Sequence, residues 1–149
     1  MINHYTNFTL TNDNPDQVII CAGTNDILHA KEHADPSIIA NSIANIAREC
    51  KGRGINYVHI SSLMPACSMH FQNIFRSVNN ILFTICREEG FIYIHHDNIY
   101  SRADLHWDRL HLNFNGTQKY IGNLLYNIES YNPYLYPHPP FYSGIISYN

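Results

Sequence analysis

The chain is predicted to fold as an α/β protein, a parallel sheet with helices packed on its faces. Two observations carry that prediction. Short runs rich in β-branched and aromatic residues recur at Gln17 to Cys21, Ile55 to Ser61 and Phe91 to His95, each bounded by turn-forming residues. After each run, apolar residues recur at helical spacing, which gives the order βαβαβα. Helical crossovers between successive strands imply parallel neighbours joined with right-handed connections. With 149 residues and a hydrophobic share of 45%, the chain has enough material for one domain with its own core.

The elements follow in order. Gln17 to Cys21 is a continuous β-branched run, as expected of a strand covered on both faces. It leads into Gly23-Thr24-Asn25-Asp26, a glycine turn that presents Asn25. Asp35-Pro36 marks a helix start with proline at the first helical position, and Ile39, Ile43, Ile46 and Cys50 form its stripe up to Gly52-Arg53-Gly54. Ile55 to Ser61 is the second strand, and Met64-Pro65 breaks the chain after it. Phe71, Ile74, Phe75, Val78, Leu82 and Ile85 then mark one face of a long helix ending near Gly90. Phe91 to His95 is the third strand, followed by a loop with Asp97, Tyr100, Asp104 and Asp108. Asn115-Gly116-Thr117-Gln118 reads as a capped helix start, with Tyr120, Ile121, Leu124, Leu125 and Ile128 as the buried stripe. Residues 131–149 are rich in Pro and Tyr without any period and read as a tail. No internal repeat is visible.

Composition narrows the setting. A formal net charge of -3 with nine Lys plus Arg offers no basic stripe for phosphates, so no nucleic-acid partner is expected. No apolar stretch approaches membrane-spanning length and no basic-then-apolar leader is present, so no membrane partner is expected, and the sequence names no compartment beyond a cytoplasmic default. Cys21, Cys50, Cys67 and Cys86 are widely spaced, form no C-x-x-C pair, and read as core thiols.

The chemistry gathers in two places. Asp108-Arg109-Leu110-His111 puts a carboxylate three residues before an imidazole, a spacing at which the acid can fix the tautomer of the base and stabilise its cation. Asn25 follows a strand, where its side-chain amide can donate to a developing oxyanion. Each piece has a bland reading. Gly, Asn and Asp are favoured in turns for backbone reasons, and Asp-x-x-His is short enough to arise by chance. In an open α/β sheet, however, ligands bind beyond the carboxyl ends of the strands, and both pieces follow strands, so the fold should bring Asn25 and His111 to one cleft. The cluster His95, His96, Asp97, His106, Asp108 and His111 suggests a metal by composition. Its spacing argues against one: adjacent His95 and His96 point to opposite faces, and no His-x-x-x-His pair sits on an expected helix. Neither a metal nor an organic cofactor is expected. Ser61, Ser62, Cys67 and His70 lie at or after the second strand end, where Ser61, Ser62 or Cys67 could replace a nucleophile. Strand-end serines more often satisfy turn backbone, and no nucleophile is assigned.

These motifs resemble the SGNH, or GDSL-type, hydrolase family over roughly residues 15 to 130. The family's Gly-x-Asn-Asp block reads Gly23-Thr24-Asn25-Asp26. Its Asp-x-x-His block reads Asp108 to His111 and continues as Leu112, Asn113 and Gly116. Ile60-Ser61-Ser62-Leu63-Met64-Pro65 is similar to what many members carry at the corresponding strand. The family's Gly-Asp-Ser block, which holds the nucleophile, has no counterpart, nor has the glycine of its second block.

The resemblance implies a three-layer α/β/α, flavodoxin-like parallel sheet and an ancestor that hydrolysed carboxylic esters or O-acetyl groups. His111 would be general base, Asp108 its orienting carboxylate and Asn25 an oxyanion donor. Only 22 residues precede Gly23, fewer than the family's preceding units need at about 30 residues or more per strand-helix-strand. The expectation is therefore an N-terminally truncated domain at 17–130, a remnant of the preceding unit at 1–16, and a tail. Such a chain would lack esterase activity, or would be a non-catalytic remnant or binding module; hydrolase-like segments of this kind occur in mobile-element proteins of animals. A small-molecule ester is the implied ligand. Unless Tyr5 to Leu10 supplies a covering strand, Val18 to Cys21 would form an open sheet edge able to pair with a second chain.

Overall fold

The computed structural model describes residues 15–64, 69–99 and 102–131. Cys67, Tyr100, the segment Tyr5 to Leu10 and nearly all of the expected N-terminal remnant and tail lie outside them. The described elements are β1 (Gln17–Ile20), α1 (Thr24–Ala30), a 3-10 turn at Lys31–His33, α2 (Pro36–Gly52), β2 (Tyr57–Ser61), α3 (Met69–Glu89), β3 (Ile92–Ile94) and α4 (Phe114–Ser130). The strands form a parallel sheet in the order β1-β2-β3, and helices flank it, so the fold is α/β.

Register explains how the faces are assigned. Val18 pairs with Val58 and Ile20 with Ile60, and these side chains point into a core with Ile39, Ile43 and Ala47 of α2 and Phe75, Val78 and Leu82 of α3. One step along, Gln17 pairs with Tyr57 and Ile19 with His59, and that face receives α4. The period of two along a strand makes this division automatic.

Local chemistry fixes the helix ends. Asp35 caps α2, its Oδ1 accepting from the backbone N–H groups of Ser37 at 2.8 Å and Ile38 at 3.3 Å, with Pro36 directly after it. Arg48 of α2 forms a bidentate pair with Glu89 at the end of α3, at 2.7 and 2.6 Å. Asn79 of α3 clamps the segment after β2: its Oδ1 accepts from Leu63 N at 2.7 Å and its Nδ2 donates to Leu63 O at 2.9 Å, as a neighbouring strand would.

Several expectations need correction. The second strand starts at Tyr57, because Ile55 N turns back to donate to Cys50 O. Asn25 lies not in an open turn but in the first turn of α1, which buries Ile27 completely. Helices flank both faces of β1, but it is only half-buried over Gln17, Val18 and Ile19 and borders the sheet among the described residues. Cys50 and Cys86 are buried, but Cys21 is exposed. The expected stripe of α4 is also rotated: Ile121 is 48% and Leu125 50% exposed, because the helix turns Tyr120, Asn123 and Ile128 towards a face that offers polar partners.

Candidate functional site

The turn after β1 is built around Gly23. Its φ of 110° lies in the left-handed region, and a Cβ there would approach Ile43 Cδ1 at 2.9 Å and Leu63 Cδ2 at 3.2 Å. Both the backbone and the space call for glycine. The chain then enters α1 with Asn25 exposed in its first turn and Asp26 beside it, where a negative charge complements the helix dipole.

The loop carrying Asp108 and His111 is a small hairpin. Leu105 and Leu112 form an antiparallel bridge, and His106 N donates to His111 O at 2.8 Å. At its tip Arg109 takes a positive φ of 58° and donates its backbone N–H to His106 O. Asp108 organises the return. Its Oδ1 accepts from Leu110 N at 3.0 Å and His111 N at 3.1 Å, and its Oδ2 meets His111 Nδ1 at 2.6 Å.

Those hydrogen bonds set the electrostatics. The bond to His111, followed by the two backbone N–H donors, pulls the Asp108 carboxyl down to about 2 from its ordinary value. A carboxylate on Nδ1 holds the imidazole proton there and leaves Nε2 unprotonated, as a general base requires. The His111 side chain is 74% exposed, and among the described residues Nε2 has no partner.

The base of the hairpin shows what the rest of the motif does. Asn113 Oδ1 caps α4 by accepting from Gly116 N at 3.0 Å, while its Nδ2 donates to Ala103 O at 2.8 Å and Leu105 O at 3.2 Å. The helix therefore starts at Phe114 with Asn113 as cap, two residues before the expected Asn115-Gly116 start. A Cβ on Gly116 would fall 2.1 Å from the Asp104 carbonyl oxygen, so only glycine lets the first turn press on the loop. Lys119 completes the seam through a 2.8 Å ion pair with buried Asp104.

α4 also decides at which end of the sheet this hairpin lies. Gln17, at the start of β1, donates to Ile128 O and Tyr131 O, whereas Tyr120 OH donates to Cys21 Sγ just past the end of β1. The helix thus runs antiparallel to β1. Its first residues, and the hairpin before them, stand at the carboxyl end of the strands, the end at which Asn25 leaves β1.

No described serine or cysteine bonds to His111. Ser61 is buried, with its Oγ 2.8 Å from His96 Nε2 and 3.4 Å from Tyr120 OH. Asn123 Nδ2 donates to His96 Nδ1 at 2.9 Å, so the ring proton sits on Nε2 and points at Ser61. That polarity fixes the helix to the sheet and does not activate a hydroxyl. Ser62 is also buried, and with Tyr93 it lines a cleft beyond β3. The side chain of His70 is not described. His95 and His96 do face opposite ways: His95 meets Tyr93 edge-to-face at 4.7 Å, and His96 stacks on Tyr120 at 4.4 Å. Among the described residues, no three His, Cys, Asp or Glu side chains converge as a metal site would require. Strand periodicity did not reveal the buried polar network of Ser61, His96 and Asn123; the adjacent His95-His96 at a strand end was its only trace. A shallow cleft of about 470 Å³ opens beyond β3, lined by Ser62, Arg76, Asn79, Tyr93, His95 and Asp97 among others.

No protein-family model matches the chain, and no curated protein matches it. The fold is similar to a solved structure, LAE5, described as an alpha/beta hydrolase enzyme from the metagenome of Lake Arreo, Spain. The TM-score is 0.68 at 15% sequence identity, over 84% of this chain and 64% of that one. The chain therefore spans less than two thirds of that neighbour's length. A likeness at this identity establishes the fold alone, an α/β architecture shared with that structure.

Proposed function

We propose that the chain is an SGNH-type hydrolase domain that keeps the base half of an ester-cleaving site and lacks its nucleophile, so that it does not turn over esters by itself. The observation that carries this reading is the Asp108–His111 pair, with one carboxylate oxygen held by two backbone N–H groups and the other 2.6 Å from Nδ1. In this reading His111 is the general base, Asp108 orients it, and Asn25 is the oxyanion donor. Both sites leave the same end of the sheet, which supports their sharing a cleft. The ancestral substrate class is a carboxylic ester or O-acetyl group, and no cofactor is required for that chemistry.

The test is hydrolysis of a short activated ester by the purified chain and by His111→Ala. Equal rates are expected, because an oriented base without a nucleophile gives at most weak base catalysis. Saturable turnover that disappears in His111→Ala would overturn the inactive reading, and its loss in Ser62→Ala or Cys67→Ala would identify a replacement nucleophile.

A second reading, a non-catalytic binding module, is favoured by the cleft beyond β3, whose volume is within the range of small-molecule sites. Short-ester ligands that shift the NMR signals of Tyr93 and His95 while leaving His111 unmoved would select it.

A further inference from the structure

The α4 face of the sheet contains two histidines that the proposed hydrolase chemistry does not use. His59 is fully buried on β2. Its Nε2 lies 2.9 Å from Gln17 Oε1, which can only accept, so the proton is on Nε2 and Nδ1 is left as a bare acceptor. That Nδ1 has no hydrogen-bond partner, and the ring stands edge-on to Tyr131 at 5.5 Å. His96 is 2% exposed, stacked against Tyr120 of α4, and its Nδ1 receives an N–H from Asn123. Asn123 is held in a reciprocal amide pair with Asn98, at 2.8 and 3.2 Å.

Both rings are therefore built to be neutral. A second proton on His59 would sit at Nδ1 with nothing to accept it, and a second proton on His96 would face the Asn123 amide donor. The surroundings offer little compensation. β1 and the residue just past it contribute Gln17 and Cys21, β2 contributes Tyr57 and Ser61, and α4 with its end contributes Tyr120, Asn123 and Tyr131, none of them a carboxylate. After β3, His95 and Asp97 flank His96. The Asp97 side chain is 91% exposed and leans on His95 Nδ1 at 3.4 Å. The nearest buried carboxylate of this seam, Asp104, is engaged by Lys119.

We propose that the contact between α4 and the sheet is an acid-sensitive latch, closed while His59 and His96 are neutral and opened when they are protonated. Opening would carry more than the helix. Asn113 and the Asp104–Lys119 pair join α4 to the hairpin, so release of α4 would displace Asp108 and His111, while the apolar core that α2 and α3 form on the other face contains no histidine among the described residues. The proposal stands apart from the hydrolase reading, since neither histidine belongs to the Asp108–His111 pair.

Burial lowers both histidines to about 4, with Asp97 partly opposing the effect at His96. The unfolded or undocked ring titrates near its ordinary value of 6.5. Closure is thus fully favoured above that value and weakens as the pH falls from 6.5 towards 4. Each pH unit in that window favours the open state by up to about tenfold per histidine, or about a hundredfold for the pair.

Hydrogen exchange of the full chain, corrected for intrinsic rates, tests this between pH 7 and 4. Amides of Tyr120 to Ile128 are expected to lose protection below pH 6 while those of Ile43 to Ala47 and Val78 to Ile85 keep theirs. Uniform loss across the chain, or unchanged protection of α4 at pH 4, would overturn the latch. The double variant His59→Gln with His96→Gln should abolish the acid response; an unaltered response would place it on carboxylates instead. Should that variant not fold, imidazole ¹⁵N titration of the unmodified chain decides. Proton uptake at the two rings coinciding with loss of α4 protection supports the latch, and uptake with α4 still protected refutes it.

Discussion

On the α2/α3 side of the sheet, β1 and β2 present Val18, Ile20, Val58 and Ile60 to a core of isoleucine, alanine, valine and leucine side chains. On the α4 side the same two strands present Gln17, His59 and Ser61, interleaved with Ile19 and met by Tyr120, Asn123 and Tyr131. One residue of register separates the two surfaces, yet they hold by different physics. The apolar side gains from every atom removed from water and does not depend on direction. The polar side gains only where donors meet acceptors, and a wrong proton or missing partner turns the same contact unfavourable. The contrast explains why one helix layer is buried and the other is half exposed.

The largest effect should come from breaking the apolar side. Leu82 is fully buried there, and Leu82→Ala is expected to cost about 3 kcal/mol, within a usual span of roughly 2–5 kcal/mol, by lost transfer energy and the cavity left behind. Denaturant unfolding should show a lower midpoint with an unchanged slope. For comparison, moving one buried histidine from 6.5 to about 4 corresponds to about 3 kcal/mol of stability, lost by pH 4, so acid on the polar side rivals a core deletion on the other.

A smaller, more local effect is expected at the joint between α4 and the hairpin. Gly116→Ala drives a methyl group into the Asp104 carbonyl and should cost roughly 1–3 kcal/mol by forcing the backbone apart. Hydrogen exchange should rise over the hairpin and the first turns of α4 and stay unchanged in α2 and α3. Equal loosening of both layers would contradict the independence of the two faces.

The smallest effect on stability is expected at Asp108→Asn, where the change should be chemical. The amide can no longer hold a proton on Nδ1 as the carboxylate does, so imidazole ¹⁵N shifts should report a move from the Nδ1–H tautomer towards Nε2–H. The pH window also separates the Asp108 carboxylate from the latch. With its carboxyl lowered to about 2, Asp108 keeps its contribution above the ordinary 3.8 and loses it only as the pH falls through about 2. Acid effects between pH 6.5 and 4 therefore cannot originate in the Asp108 carboxyl.

What the sequence reveals follows from how local each interaction is. The strands and the α2 and α3 stripes are periodic, and Ile39, Ile43, Val78 and Leu82 occupy the core that their spacing predicts. The Asp108–His111 pair is equally legible, since three residues and one turn bring the atoms together. The polar face is not legible, because Gln17 and His59 are 42 residues apart and Ser61 and His96 are 35 apart, and strand patterning reads each as an ordinary alternating position. The orientation of α4 fails for the same reason. Its aliphatic residues predict which side is greasy, but Tyr120 and Asn123 find partners on the sheet that outweigh burying Ile121 and Leu125.

Asn113 also bears on how its position should be compared with others. As a helix cap, Asn is interchangeable with Asp, and a substitution table would score the exchange as mild. Here the carbonyl half of the amide serves α4 while the NH₂ half grips the carbonyls of Ala103 and Leu105. A carboxylate keeps the first task and reverses the second, setting a negative charge against two oxygens. The Asn of Leu112-Asn113 thus works as a two-sided fastener, and the choice of amide over acid records that a loop, and not only a helix, depends on it.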